Sequence, residues 1–396
     1  MSKGERSIML PVEIKKNVYW VGGIDWDLRN FHGYLTQRGS SYNAYLIRGE
    51  KNILIDSVKT PLYDQLISRI ARIIDPRKID FIIQNHVEMD HSGSLPRLVE
   101  MNPNIVIITS PNGEKGLRLH YKKDWNFRVV QNNETVEIGG RKFQFVHTPM
   151  VHWPDNMVTY SPDDRILFSN DAFGQHISST ERFDDELPIG IVYEEAKKYY
   201  ANIVLPYGKQ VQKILPVVDS LSLDLIAPSH GLIWRKNIGE IKRRYAKWAG
   251  NETERKAVIV YDTMWKSTEK IAYAIMQGFE LNHIPVEMLN LQANHISDIM
   301  TSLIDAQYLC LGSPTLNNNI LPTVSAFLTY LKGLAPPDRI SLAFGSYGWG
   351  GQSIGIIEKE FENCKYELLP AIKVQYVPDQ DRLDEITNDI SRLIQK

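Results

Sequence analysis

The run His86-Val87-Glu88-Met89-Asp90-His91 follows Asp80-Phe81-Ile82-Ile83-Gln84-Asn85, an apolar segment that reads as a buried strand. It precedes Ser92-Gly93-Ser94-Leu95-Pro96, which reads as a helix entry. Six residues thus carry four side chains able to ligate metal, of mixed nitrogen and oxygen type, and two metals could share them. A cluster of this kind is ordinarily a solvated polar loop. Here, further candidates recur downstream in matching contexts. His152 lies in Thr148-Pro149-Met150-Val151-His152-Trp153-Pro154-Asp155, Asp171 ends Arg165-Ile166-Leu167-Phe168-Ser169-Asn170, and His230 ends Leu225-Ile226-Ala227-Pro228-Ser229. Each follows an apolar strand signal, and the ends of strands are where a sheet protein usually builds its site.

The ordered set resembles the metallo-β-lactamase superfamily motif, H-x-H-x-D-H, then His, Asp and His. The departure is Glu88, where the hydrolases carry His. The swap gives four His, one Glu and two Asp, an oxygen-enriched shell that suits iron better than zinc. H-x-E-x-D-H followed by H-W-P-D and N-D-A-F-G resembles the pattern of the flavodiiron proteins, and the resemblance runs along nearly the whole chain. It implies an α/β protein with an N-terminal metallo-β-lactamase-like αββα sandwich followed by a C-terminal flavodoxin-like doubly wound parallel sheet.

Composition is ordinary for a globular protein: 396 residues, 43% hydrophobic and 23% charged, long enough for two domains. A net charge of -2, with no basic stripe, gives no electrostatic footprint for nucleic acid. The opening Met1-Ser2-Lys3-Gly4-Glu5-Arg6-Ser7 leads into no apolar core of signal-peptide length, and no run approaches a membrane span. We therefore expect a cytoplasmic protein. The two cysteines, Cys310 and Cys364, argue against a disulfide framework and against a Cys-rich metal centre. Some flavodiiron proteins append a rubredoxin-like module with paired C-x-x-C motifs. This sequence has none, so electrons are expected from another protein or a small reductant.

One compositional break, Gly250-Asn251-Glu252-Thr253-Glu254-Arg255-Lys256, separates segments of different rhythm and sets the expected domains at 1–250 and 251–396. Before it, short strands dominate: Val18–Val21, Tyr42–Ile47, Asn52–Asp56, Ile105–Ile108 and a hairpin over Glu137–Phe143, interrupted by helices such as that near Leu62–Ile74. After it, strands and helices alternate, beginning Ala257–Tyr261, a helix from Thr268, Pro285–Leu289, a helix near Asp298–Ala306 and Tyr308–Leu311. Such alternation predicts βαβ units in a parallel sheet, with the ligand at the carboxyl ends of its strands.

Three loops at such ends form a candidate FMN cradle. In the first, Asp262-Thr263-Met264-Trp265-Lys266-Ser267-Thr268, hydroxyls and free N–H groups at a helix start suit a phosphate monoester. It resembles the flavodoxin phosphate loop, with Trp265-Lys266 where flavodoxins usually place Gly; a plain N-cap by Ser267 or Thr268 is the alternative. The second holds Ser313, Pro314, Thr315 and Asn317, and the third Ser346, Tyr347, Gly348, Trp349 and Gly350. Small residues there let backbone approach a flat ring, and Trp265, Tyr347 and Trp349 offer stacking faces or, alternatively, core packing.

The flavodiiron resemblance implies two irons and FMN in one chain, reducing dioxygen to water or nitric oxide to nitrous oxide. It assigns His86, Glu88 and His152 to one iron, Asp90, His91 and His230 to the other, and Asp171 to the bridge; the position of His91 is not always bound to metal in the family. His147 is a rival for His152. His32, His176 and Tyr193 are candidates to orient ligands or deliver protons. The expected partners are rubredoxin or another external donor and a second copy in a head-to-tail homodimer. The alternatives are a metal-dependent hydrolase of the lactamase or glyoxalase type, and a flavodoxin-like electron carrier with an inactive metal half.

Overall fold

The computed structural model describes residues 9–395, so the Met1–Ser7 opening lies outside the described residues. The chain forms two compact units. The first runs to His32 and takes in Thr36–Tyr200 and Lys209–Ala246; the second comprises Gly33–Leu35, Ala201–Gly208 and the chain from Lys247 onward.

The first unit is built on two large sheets, beside a small two-stranded pair of Gly23–Asp25 with Ser40–Tyr42. One has seven strands in the order Val12–Lys15, Val18–Trp20, Tyr45–Ile47, Ile53–Ile55, Phe81–Ile83, Val106–Thr109 and Phe127–Val129. The other has five: Thr135–Ile138, Arg141–His147, Met157–Ser161, Ile166–Asn170 and Leu225–Pro228. Strand alternation explains why the central strands read as unbroken apolar runs. Ile53, Ile55, Ile83 and Ile108 point to the shared core, meeting Phe143, Phe145, Met157 and Phe168 of the second sheet. Leu54, Ile82 and Ile107 point the other way, onto Leu66 and Ile70 of the helix Tyr63–Ile70, Leu95 and Leu98 of Leu95–Met101, and Leu117 of Pro111–Tyr121. Full burial of each such side chain contributes about 1.5–3 kcal/mol. The hairpin turns through Gly139 and Gly140, at φ +57° and +77°. Two consecutive left-handed residues are what a tight two-residue turn between twisted strands requires.

The second unit is a parallel sheet ordered Val286–Asn290, Glu254–Tyr261, Ala306–Gly312, Ile340–Tyr347 and Glu367–Leu368, with Ile372–Gln375 also paired to Ile340–Tyr347. The order reverses direction after the strand Glu254–Tyr261, which creates a switch point beside its carboxyl end. Helices Ser267–Glu280 and Gln380–Leu393 cover one face together, in contact with Ile259, Cys310 and Phe344. Gly278 allows their close approach, since a Cβ there would stand 2.6 Å from Ile390.

The polar stretch at 250–256 is only partly a connector. Glu254 already opens a strand, its N–H donating to Asp305 O at 2.7 Å, and it reads as linker because Glu254 and Arg255 are exposed. The early segments 33–35 and 201–208 had no compositional signal marking them for the second unit. They are held by Ser297, whose Oγ accepts from Leu35 N at 3.2 Å and whose carbonyl accepts from Asn202 Nδ2 at 3.1 Å. Among the described residues, no helix is long and apolar enough to cross a membrane.

Candidate metal centre and flavin cleft

The strand Phe81–Ile83 ends just before His86, and a single helical turn, Met89–Ser92, lifts Asp90 and His91 into the same buried space. Asp171 leaves the strand Ile166–Asn170 directly, and His230 lies two residues beyond Leu225–Pro228. His152 comes from the loop after Arg141–His147. His147 closes that strand and turns its Nε2 to the Val130 carbonyl at 3.1 Å, away from the cluster.

These side chains form two groups, His86, Glu88, His152 and Asp171 in one and Asp90, His91 and His230 in the other. Asp171 faces both. Its Oδ2 is 3.1 Å from His152 Nε2 and 3.5 Å from His86 Nε2, while its Oδ1 is 3.1 Å from His91 Nε2 and 3.5 Å from His230 Nε2. Glu88 Oε2 completes the first group at 3.3 Å from His86 Nε2, and Asp90 Oδ2 the second at 3.1 Å from His91 Nε2. His152 bonds Asp171 Oδ2 and His86 bonds Glu88 Oε2, but the other oxygens and nitrogens crowd together without such partners. Both Asp90 oxygens, Asp171 Oδ1 and both His91 nitrogens are buried without a hydrogen bond of acceptable geometry. Buried polar atoms left so are costly, and lone pairs converging on shared points fit metal cations.

The electrostatics agree. Burial opposes charge on His86, yet hydrogen bonds with Asp155 and Glu88 carry its pKa up to about 10. Burial would raise Asp171, but His91, His152 and His86 hold it well below the usual carboxylate range. The pocket therefore demands positive charge, which protons or metal ions can supply. Outer contacts fix the rings. Asp155 Oδ2 accepts from Val87 N at 2.8 Å and pairs with His86 Nδ1 at 2.9 Å, and the Ser41 carbonyl meets His230 Nδ1 at 2.9 Å. Both contacts turn Nε2 toward the centre.

Of the candidate proton-handling groups, His176 is fully buried, its ring 4.8 Å from that of His230 and its Nδ1 2.8 Å from Ser40 Oγ. Burial holds its pKa well below the usual value, so it is neutral. His32 is largely exposed, with Nε2 3.4 Å from Glu88 Oε1. Tyr193 is placed elsewhere, stacked on Trp234 with Arg244 over its ring. The tyrosines that reach the cluster are Tyr42 and Tyr199, with rings 5.1 and 5.9 Å from His230. Neither they nor Asp155 carries a local sequence signal for that role beyond the H-W-P-D run itself.

In the second unit, a cleft of about 180 Å³ at the strand ends is lined by Thr263, Met264, Trp265, Ser267, Pro314, Thr315, Ser346, Tyr347 and Gly348, joined by Tyr376 and Val377. Thr263 Oγ1 is buried without a partner, as a phosphate-facing hydroxyl would be. Thr268, Ser313, Asn317, Trp349 and Gly350 do not line the cleft. Thr268 is buried with its hydroxyl 3.2 Å from Ser346 Oγ. Ser313 Oγ accepts from Leu321 N and donates to Pro314 O, bracing the loop from behind. Trp349 is 80% exposed.

Residues 41–231 match the family described as ODP family beta lactamase, and residues 259–388 match Flavodoxin. The chain is 42% identical to a nitric oxide reductase of Moorella thermoacetica, over 97% of this chain and 99% of that one. Its structure matches the rubredoxin oxygen:oxidoreductase of Desulfovibrio gigas with a TM-score of 0.93 at 39% identity, covering 97% and 98% of the two chains. The flavodiiron protein from Giardia intestinalis matches with a TM-score of 0.95 at 32% identity, covering 98% and 97%. The chain belongs to the flavodiiron protein family. It is an oxidoreductase whose two halves call for a di-iron centre and FMN, and the buried donor set and the hydroxyl-lined cleft fit those groups.

Proposed function

We propose that this flavodiiron protein reduces dioxygen to water, nitric oxide to nitrous oxide, or both, in the cytoplasm, with electrons from rubredoxin or another external donor. The supporting observation is Asp171, whose two oxygens each face a separate set of nitrogen and oxygen donors. In this reading His86, Glu88 and His152 hold one iron, Asp90, His91 and His230 the other, and Asp171 both. When bound, the irons supply positive charge and electrons to a small gas molecule, and FMN replenishes those electrons singly. The chain's own residues do the rest. Asp155 and the Ser41 carbonyl orient His86 and His230. Neutral His176, with Tyr42, Tyr199 and Phe31, walls the centre with rings that exclude bulk water. His32, exposed beside Glu88, is positioned to bring protons in from solvent. Thr263, Ser267 and the N–H groups opening Ser267–Glu280 hold the FMN phosphate.

A hydrolase needs neither the flavin cleft nor a carboxylate at Glu88, and an electron carrier needs no complete buried ligand set. The test is to measure metal, flavin and gas consumption on one preparation. We expect two irons and one FMN per chain, with donor-dependent consumption of at least one gas. Full zinc occupancy after expression in iron-sufficient medium, with no gas consumption, would overturn the assignment.

A further inference from the structure

In the first unit, lined in part by the chain neighbours of His152 and Asp171, lies a small apolar cavity of about 20 Å³. A single water-sized guest needs about 10–15 Å³, so the space admits one small molecule. Its walls come from the outer face of the five-stranded sheet, including Val158 and Leu167, and from Val211, Leu215 and Val218 of the helix Gly208–Ser220. All its lining residues are buried except Ala172 and Ile214, which are half-buried and form the mouth. The lining offers a guest almost no polar partner. Its polar side chains are Thr148 and Tyr245, and the Tyr245 hydroxyl oxygen accepts from Phe173 N at 2.7 Å. Water needs two to four hydrogen-bonding partners to settle in such a space, whereas apolar cavities stay dry and take up apolar guests. The cavity also adjoins the metal centre along the chain. Val151 precedes His152, and Ala172 and Phe173 follow Asp171.

We propose that this cavity is a binding site for an uncharged apolar diatomic gas, holding dioxygen or nitric oxide one residue behind the ligands His152 and Asp171. The inference rests on the gas-reductase reading for its purpose, but its occupancy can be tested without turnover. Xenon is the probe, an apolar atom of comparable size. Crystals of the holoenzyme pressurised with xenon should show it between Leu215, Val218 and Phe173. Leu215→Ala, which enlarges the space, should raise xenon occupancy, and Val218→Phe, which fills it, should abolish it. With iron and FMN content unchanged, Val218→Phe should raise the KM for gas by about fivefold and leave kcat at saturating gas near the wild-type value.

An ordered water in the cavity, or no xenon there in either wild type or Leu215→Ala, would overturn the proposal. So would a Val218→Phe protein that loses xenon while keeping the wild-type KM. If xenon binds as expected but the holoenzyme consumes neither gas, the reductase reading fails and the apolar site stands.

Discussion

In the proposed reading Glu88 separates this centre from a hydrolase site, because a hard carboxylate stands where the hydrolases carry an imidazole, beside His86 and His152. Glu88→His should move metal content from iron toward zinc and abolish gas reduction, as read by metal analysis and gas electrodes; an unchanged rate would show that Glu88 is not a ligand. Asp155 acts one bond further out. Asp155→Asn keeps the shape but removes the charge that holds the Nδ1 proton of His86, and loss of such an outer partner typically weakens metal binding by about 10–100-fold. Competition with a chelator would measure that loss, and FMN content should not change. That His86 and Glu88 join the buried donor cluster was legible in the sequence because they follow a strand end directly. The part played by Asp155 was not, since it depends on a loop 69 residues away folding back onto His86.

At the scale of elements, the helix Ile189–Tyr199 shows how much a one-dimensional reading loses. Tyr193 and Tyr199 lie six residues apart on it, roughly 240° around the axis at 3.6 residues per turn, so only one can face the metal centre. Tyr199 takes that position, and the spacing alone did not say which face was inward. The same helix carries Glu195, whose carboxyl burial pushes up to about 7 although Arg38 Nε lies 3.1 Å away. Between the ordinary glutamate pKa of 4.5 and about 7, the folded state keeps a proton that the unfolded chain releases. Stability from this group is therefore complete below 4.5, falls as pH rises through that window, and levels off above it. Glu195→Gln should flatten this slope in urea titrations repeated from pH 5 to 8. In the second unit, the loop from Asp262 to Thr268 was legible because strand, hydroxyls and helix follow one another directly. The bracing roles of Ser313 and Thr268 emerge only from cross-loop contacts. Changing Thr263 and Thr268 together to Val should weaken FMN binding by about 1–3 kcal/mol without altering iron content. Wild-type affinity on dialysis would move the phosphate elsewhere.

At the scale of the molecule, the two candidate sites belong to different compact units, the buried donor cluster to the first and the hydroxyl-lined cleft to the second. The two-domain plan was legible from the change of rhythm near residue 250, whereas the return of segments 33–35 and 201–208 to the second unit depends on contacts far apart in sequence. Electron transfer decays steeply with distance, so a working assembly must bring a flavin close to an iron pair. We propose that a head-to-tail homodimer sets the flavin of one copy beside the irons of the other, a two-fold contact closing the assembly. Trp265, which lines the cleft, is 90% exposed in the single chain, and Trp349, directly after the cleft-lining Gly348, is 80% exposed. Exposed aromatics gathered at one site are what an interface covers. Complementation tests the arrangement. A protein carrying His86→Ala with His230→Ala keeps its flavin but should lack iron, and a flavin-stripped Thr263→Val, Thr268→Val protein should keep its iron. Neither alone should consume gas, and the re-formed heterodimer should recover activity at one of its two centres. An inactive heterodimer, verified by mass, together with an enforced monomer of the intact chain working at the normal rate, would place transfer within one chain and remove the need for the second copy.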